Sequence, residues 1–279
     1  KFFRRHCIAH GILKLMPKES WLLFLDADTA VVNPNRLIEE FIDDRFDVTL
    51  YDRFYNWEVA AGSYLIRNTP KGLNFLTSFM DYEWKLPHFY HGTDNGAIHM
   101  LLMDLLAPAA APEMTETCDK IWNTSRDDFD LVRMEACTIL VYGTAIEYPA
   151  AGIRILPKGK GWMRDRWLLQ SRFAQHDDFM LHGYKAPWRQ AYPEGFMDKM
   201  IFFYDQHGIW HNWILKETKW IAPIVRELDI EKCKAHDETW SLERRLIVRD
   251  DVKKTQLDRI EMMVEWRKYE STSSIWKYV

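Results

Sequence analysis

The chain has 279 residues, of which 47% are hydrophobic and 14% aromatic, so it can bury a core and is not a disordered segment. Its formal net charge is −4, which excludes the strongly basic surface of a protein that tracks a nucleic-acid backbone. The longest apolar stretch, residues 100–112, contains Asp104 and two prolines and is shorter than the ~20 residues that span a bilayer.

Helix and strand signals alternate along the first two thirds of the chain. In chain order the sequence predicts a helix over 1–16, a strand over 21–26, a helix from Asn33 or Asn35, strands over 46–52 and 62–68, helices over 69–84 and 92–107, and late strands within 152–159 and 178–188. The strand over 21–26 is wholly apolar, which is typical of a central strand covered on both faces. This alternation predicts an α/β fold.

The composition changes beyond about residue 193, where an amphipathic helical stretch leads into a charged, mostly helical tail. We therefore expect one α/β domain over residues 1–205 and a C-terminal extension over residues 206–279.

Two carboxylates directly follow the first apolar strand, in the sequence LLFLDAD that ends at Asp28. Side chains two residues apart on a strand share a face, about 7 Å apart along the backbone, so Asp26 and Asp28 can converge on one cation. Carboxylates combined with phosphate oxygens suit Mg²⁺ or Mn²⁺, and open α/β sheets bind ligands at the carboxyl ends of their strands. A second D-x-D, Asp128 and Asp130, lies in a polar stretch with no strand before it, and we expect a solvated surface there.

A histidine and a lysine form the second candidate group, in the sequence FMLHGYKAPW. His182 is either a structural histidine or the imidazole that completes the two-carboxylate site, and an imidazole ligand favours Mn²⁺ over Mg²⁺. Gly183 lets the backbone approach a ligand closely. Lys185 is placed to neutralise a phosphate.

Small residues and a helix-start carboxylate form the remaining candidates. Gly62 and Ser63 enter a predicted strand where either a substrate or a packed neighbour approaches the backbone. Asp94 opens the predicted helix over 92–107, where it is either a carboxylate favoured by the helix dipole or a functional group.

The four cysteines show no zinc-binding spacing. Cys118 and Cys137 flank a segment that contains the glycosylation sequon Asn123-Thr124-Ser125. A bridge between these two cysteines, together with the sequon, would favour a secretory compartment.

The order LLFLDAD, AGSYLIRN, TDNGA and HGYKAPW resembles metal-dependent glycosyltransferases of the GT-A fold over roughly residues 1–190. The chain most resembles a nematode family of uncharacterised glycosyltransferase-like proteins, which is similar to fungal Golgi galactosyl- and mannosyltransferases and plant xyloglucan xylosyltransferases. The resemblance implies a GT-A-like sheet with flanking helices, a UDP- or GDP-sugar donor, a glycan or glycoprotein acceptor, retention of the anomeric configuration and a Golgi or secretory-pathway lumen.

The resemblance also assigns roles. Asp26 and Asp28 would hold Mn²⁺ or Mg²⁺ against the donor diphosphate, with His182 as the third protein ligand. Lys185 would stabilise the leaving diphosphate. Asp94 matches the acidic residue near the transferred sugar, although Asn95 follows it where relatives often have Gln. Gly62, Ser63 and Gly183 would line the donor site.

The chain departs from that pattern at its start, because only 25 residues precede Asp26. The strand–helix units that bind the nucleotide base in this fold precede the D-x-D strand. We therefore expect the N-terminal nucleotide-binding part to be truncated, and a membrane anchor, if one exists, to lie upstream.

Two other readings fit part of the sequence. In a haloacid-dehalogenase-like phosphatase, Asp26 would be the nucleophile and Asp28 the acid/base, with a later acidic pair in RLIVRDD, residues 245–251. That family usually has Thr or Val where this chain has Ala30. The other reading is a truncated, non-catalytic module that binds a glycan or a protein.

Overall fold

The structure is a computed structural model. It describes residues 2–53, 57–108, 111–166, 172–183, 244, 247–251, 253–255 and 258. The chain divides into two compact units, and each of them is assembled from separate stretches of sequence. Unit 1 comprises Lys1–Asp26, Phe41–Gly161 and Leu257–Val279, and unit 2 comprises Ala27–Glu40 and Trp162–Gln256. The chain is of the α/β class, as predicted from the alternation of helix and strand signals.

Unit 1 is built on a mixed five-stranded sheet with the order β1-β4-β3-β6-β5. Its strands are β1 (Trp21–Leu25), β3 (Val48–Tyr51), β4 (Ser63–Arg67), β5 (Glu147–Tyr148) and β6 (Ile153–Leu156). β3 and β6 pair in parallel, whereas β1–β4, β4–β3 and β5–β6 are antiparallel.

Five α-helices belong to the described part of unit 1. They are α1 (Phe3–Leu15), α2 (Pro70–Asp81), α3 (Asp94–Leu106), α4 (Pro112–Asn123) and α5 (Asp128–Tyr142). α2 begins as predicted, because the hydroxyl of Thr69 accepts a hydrogen bond from the N–H of Gly72 at 3.1 Å and Pro70 occupies the first turn. A disulfide between Cys118 and Cys137 joins α4 to α5, so the bridge that the sequence left open is present.

Unit 2 contains two small sheets. β2 (Thr29–Val31), β9 (Met180–His182) and β7 (Met163–Asp165) form one, in the order β2-β9-β7. β8 (Phe173–Ala174) pairs in parallel with β10 (Ile247–Val248), which comes from the C-terminal part of the chain.

A buried ion cluster strengthens unit 2. Nε and Nη2 of Arg164 donate to the two oxygens of Asp178 at 2.7 and 2.8 Å, and the ammonium of Lys253 lies 2.9 Å from the same carboxylate. All three side chains are buried. Residues from the C-terminal part of the chain are therefore structural members of unit 2.

Two predicted features differ from the structure. Among the described strands β1 pairs only with β4 and all its residues are half-buried, so it is not a central strand covered on both faces. An apolar run specifies a strand but does not specify its place in the sheet. The helix expected after Asn33 is only a short 3₁₀ turn over Ile38–Phe41. The Asn33 side chain accepts from the N–H of Asn35, and this local turn competes with a longer helix.

The second D-x-D lies on the surface, as expected, in the first turn of α5, which is capped by the side chain of Asp127. No helix within the described residues is long and apolar enough to cross a membrane.

Candidate functional site

Asp26 lies at the end of β1, against the start of β4. The register pairs Leu25 with Ser63, so Asp26 comes opposite Gly62. A Cβ atom on Gly62 would lie 1.9 Å from Oδ2 of Asp26, closer than any two such atoms can approach. Only glycine at position 62 leaves room for the Asp26 carboxylate, which explains the small residue that the sequence places there.

Arg5 of α1 joins Asp26 to Asp94. Its Nη1 donates to Oδ1 of Asp26, while Nε and Nη2 donate to Oδ2 of Asp94 at 2.9 and 2.5 Å. The side chain of Asp94 is 1% exposed, whereas those of Asp26 and Arg5 are 25% and 26% exposed. The guanidinium is thus held by the buried carboxylate of Asp94 and also contacts the more exposed carboxylate of Asp26.

His6 completes the support for Asp94. Its Nε2 lies 3.0 Å from Oδ2 of Asp94, and its Nδ1 lies 3.0 Å from the hydroxyl of Tyr64. Burial lowers the pKa of His6, and the hydrogen bond that His6 makes to Asp94 opposes this shift. A neutral ring that donates to Asp94 through Nε2 must accept the Tyr64 hydroxyl at Nδ1. The ring is fixed further by Phe79, whose centroid is 4.2 Å away.

Burial would raise the pKa of Asp94, but the hydrogen bond from His6 and the charge of Arg5 outweigh it, so this pKa is lowered. Asp94 is therefore a buried, ionised carboxylate with partners on two sides.

The backbone before Asp94 is strained. Thr93 has a φ of 56°, a conformation that a β-branched residue rarely adopts. Its N–H donates to Nδ1 of His91 at 2.9 Å, and its hydroxyl donates to the carbonyl of Gly92 at 2.7 Å. Strain of this kind persists where surrounding contacts enforce it, and here it fixes the point at which Asp94 enters α3.

In unit 2, His182 lies between two carboxylates. The parallel register of β7 and β9 makes Asp165 its partner, and the antiparallel register of β2 and β9 pairs it with Thr29, the residue after Asp28. Nδ1 of His182 lies 3.0 Å from Oδ1 of Asp165, and Nε2 lies 3.2 Å from Oδ1 of Asp28. Asp165 is buried and accepts a hydrogen bond from Nδ1–H of His182. The other ring nitrogen, Nε2, therefore faces Asp28.

Gly183 follows in the left-handed region, with a φ of 101°. Its N–H donates to the carbonyl of Asp28 at 3.0 Å, and its own carbonyl accepts from Nε of Arg166 at 2.8 Å. These two hydrogen bonds hold the backbone of Gly183 next to Asp28 and Arg166. Lys185 lies outside the described residues.

The structure thus groups the predicted residues within each unit. In unit 1 it places Gly62 against the Asp26 carboxylate and Ser63 opposite Leu25, and it links Asp26 to Asp94 through Arg5. In unit 2 it brings Asp28, His182 and Gly183 together. Only Ala27 separates Asp26 from Asp28, so the covalent chain alone keeps their Cα atoms within about 7 Å.

Three residues of the site were not predicted from the sequence: Arg5, His6 and Asp165. His6 could have been recognised, because it falls on the buried stripe of α1 with Phe3, Ala9 and Leu13. A histidine on a buried stripe requires a polar partner. Arg5 and Asp165 left no comparable signal, since their partners are distant in sequence.

Comparisons with known proteins identify the family of this chain. No curated protein and no solved structure matches it significantly. One family model, described as "Protein of unknown function, DUF273", matches residues 1–199. That match includes every candidate residue discussed above and most of the chain. The chain therefore belongs to the DUF273 family of proteins of unknown function.

Proposed function

We propose that this protein is a metal-dependent glycosyltransferase with a GT-A-like fold, which moves a sugar from a nucleotide-sugar donor to a glycan or glycoprotein acceptor. The observation that carries the proposal is the arrangement of His182. One of its nitrogens is held by the buried Asp165, and the other faces Asp28, two residues after Asp26.

This donor set fits a divalent metal ion. Histidine ligands of metals characteristically donate their second ring N–H to a carboxylate, which fixes the tautomer and the ring orientation. Asp165 makes that contact here, so Nε2 of His182 is the ring nitrogen that faces Asp28. Two carboxylates with one imidazole suit Mn²⁺, and Mg²⁺ is the second choice. Asp26, Asp28 and His182 would hold the ion.

The chemistry requires stabilisation of a leaving nucleoside diphosphate, and a bound divalent cation supplies positive charge for it. Arg5 adds a second cation beside Asp26. Gly62 leaves room for the Asp26 carboxylate, and Gly183 holds the backbone at Asp28. Lys185 remains a predicted partner of the diphosphate.

Asp94 takes part as a positioning residue. Its burial and its contacts with Arg5 and His6 keep the carboxylate away from solvent, so it acts on the donor sugar through Arg5. This arrangement supports a front-face route with retention of configuration, in which Asp94 is not a nucleophile. If Asp94→Asn leaves turnover unchanged, this role is wrong.

The proposed compartment is the Golgi or another secretory-pathway lumen. The disulfide between Cys118 and Cys137 supports an oxidising environment, and Asn123 of the sequon is exposed at the end of α4.

Calorimetric titration of UDP and GDP, with and without Mn²⁺, tests the function. We expect manganese-dependent binding of one nucleotide by the natural chain, its loss in Asp26→Ala and its retention in Asp128→Ala, a matched change in the surface D-x-D. If neither nucleotide binds, the proposal fails and the non-catalytic module is favoured. Trapping of aluminium fluoride at Asp26 without a nucleotide would favour the phosphatase.

A further inference from the structure

We propose that Arg5 makes metal binding conditional on nucleotide binding, which it does by acting as an internal cation at Asp26. This inference rests on the proposed function and adds to it a coupling between the binding of the metal and the binding of the nucleotide. The metal ion and the Arg5 guanidinium compete for one carboxylate, and the donor diphosphate removes the competition.

Buried contacts hold Arg5 in place. Two of its nitrogens donate to the same oxygen of Asp94, whose carboxylate also accepts from Nε2 of His6. Asp94 and His6 are both buried, and Tyr64 holds the other nitrogen of His6. The anchoring contacts lie in the core of unit 1, so the guanidinium stays close to Asp26.

The charge of Arg5 acts against a metal ion at the same carboxylate. A guanidinium is a permanent cation, so Arg5 keeps a positive charge next to Oδ1 of Asp26. A divalent ion that binds the same carboxylate must lie near that charge and is repelled by it. Metal without nucleotide is therefore bound weakly.

A bound diphosphate reverses this effect. A nucleoside diphosphate carries enough negative charge to compensate both cations, so that metal, Arg5 and diphosphate attract one another. Because the coupling of two ligands is reciprocal, the factor by which UDP tightens Mn²⁺ binding equals the factor by which Mn²⁺ tightens UDP binding. The structure thus favours entry of the metal and the nucleotide together.

The test compares Arg5→Met with Arg4→Met, a change at an exposed arginine one position earlier on the same helix. Electron paramagnetic resonance measures free Mn²⁺, and hence its Kd, with and without saturating UDP. We expect Arg5→Met to tighten the binding of Mn²⁺ alone by about tenfold or more, and to reduce the factor by which UDP tightens it. Arg4→Met should match the natural chain in both measurements.

If Arg5 served only to hold the fold together, Arg5→Met would bind Mn²⁺ alone no more tightly than the natural chain, and this result would overturn the inference. Arg5→Lys retains the charge, so we expect it to keep the coupling even if Arg5→Met is too unstable to measure; a loss of coupling in Arg5→Lys would equally contradict the inference. If the natural chain binds no Mn²⁺ with UDP present, the proposed function fails as well. Normal Mn²⁺–UDP binding with no effect of Arg5 rejects this inference alone.

Discussion

At the residue scale, the contact between Asp165 and His182 carries most of the argument for a metal site. Asp165 is buried and lies 3.0 Å from Nδ1 of His182, so it selects the ring tautomer and fixes the ring orientation. In the proposed metal site, Asp165 would orient the imidazole ligand and so contribute to the affinity for the ion.

Asp165→Asn tests this role. We expect the substitution to weaken Mn²⁺ binding in the presence of UDP by about 10–100-fold, as is usual for a carboxylate behind a metal-bound histidine. The loss arises because an amide does not hold the Nδ1–H tautomer in the same way. Manganese titration by paramagnetic resonance measures it. Asp250→Asn, at an exposed position in the same unit, is the control, and an equal loss there would contradict the prediction.

A second residue-scale feature is the buried Glu135 of α5. Its side chain is 1% exposed, and neither carboxyl oxygen has a hydrogen-bond partner among the residues that the structure describes. Burial, followed by the charge of Glu58, raises the pKa of Glu135 well above its ordinary value, while Arg53 and Lys158 oppose the shift. The folded protein therefore keeps Glu135 protonated at a pH at which the unfolded chain has released that proton.

A folded-state pKa that is raised makes stability fall as pH rises from the unfolded value near 4.3. Glu135→Gln removes this proton uptake, so we expect it to stabilise the fold by at least about 1 kcal/mol at pH 7 and to have little effect at pH 4. Thermal unfolding of both chains across this range measures the difference. Equal melting temperatures at pH 7 would show that Glu135 is ionised in the folded state.

The sequence predicts some site residues well and misses others for physical reasons. Asp26 was predictable because an apolar strand ends there. Gly62 was predictable because it belongs to a run of small residues that enters a predicted strand. Arg5 and Asp165 were not, because they meet Asp94 and His182 at sequence separations of 89 and 17 residues. Such contacts follow from the packing of elements and not from local pattern.

At the element scale, α2 was predictable in type and start, because its Thr cap and first-turn proline act locally. The place of β1 in the sheet was not predictable, since strand order depends on pairings between distant segments. The 3₁₀ turn over Ile38–Phe41 shows the same limit at short range. There, side-chain hydrogen bonds to Asn33 and Glu40 replace those of a longer helix.

The disulfide between Cys118 and Cys137, which are 19 positions apart, links α4 to α5. Closing a loop of this length limits the unfolded chain, and its loss is expected to cost about 3 kcal/mol. We expect the double change Cys118→Ser and Cys137→Ser to lower the free energy of unfolding by that amount in urea titration. Cys7→Ser, which changes an exposed free thiol, is the control and should have no effect.

At the scale of the whole molecule, the C-terminal part of the chain is required by unit 2. β10 pairs with β8, and Lys253 joins Arg164 at the buried carboxylate of Asp178. Burial would raise the pKa of Asp178, but these two cations lower it to about 2. Arg164 precedes Asp165 on β7, so this cluster supports the strand that orients His182.

A chain that ends at Asp205 lacks both β10 and Lys253, so it tests whether the first 205 residues suffice. We expect it to bind Mn²⁺ with UDP at least tenfold more weakly than the natural chain, because β7 loses its support. A chain that ends at Asp258 retains both and is the matched control. Equal affinity of the two truncated chains would show that the C-terminal contacts are dispensable.

Lys253→Met separates the ion cluster from the rest of the C-terminal segment, and Lys254→Met changes an exposed neighbour as its control. Removing one partner of a buried ion pair costs about 3–5 kcal/mol, because the remaining charge is left buried. Asp178 contributes stability above its unfolded pKa of about 3.9, and that contribution is lost as pH falls towards 2. With one cation fewer its folded pKa rises, so we expect Lys253→Met to begin acid unfolding at a higher pH than Lys254→Met, as followed by circular dichroism. Coincident acid transitions would mean that Arg164 alone holds Asp178 in its ionised state.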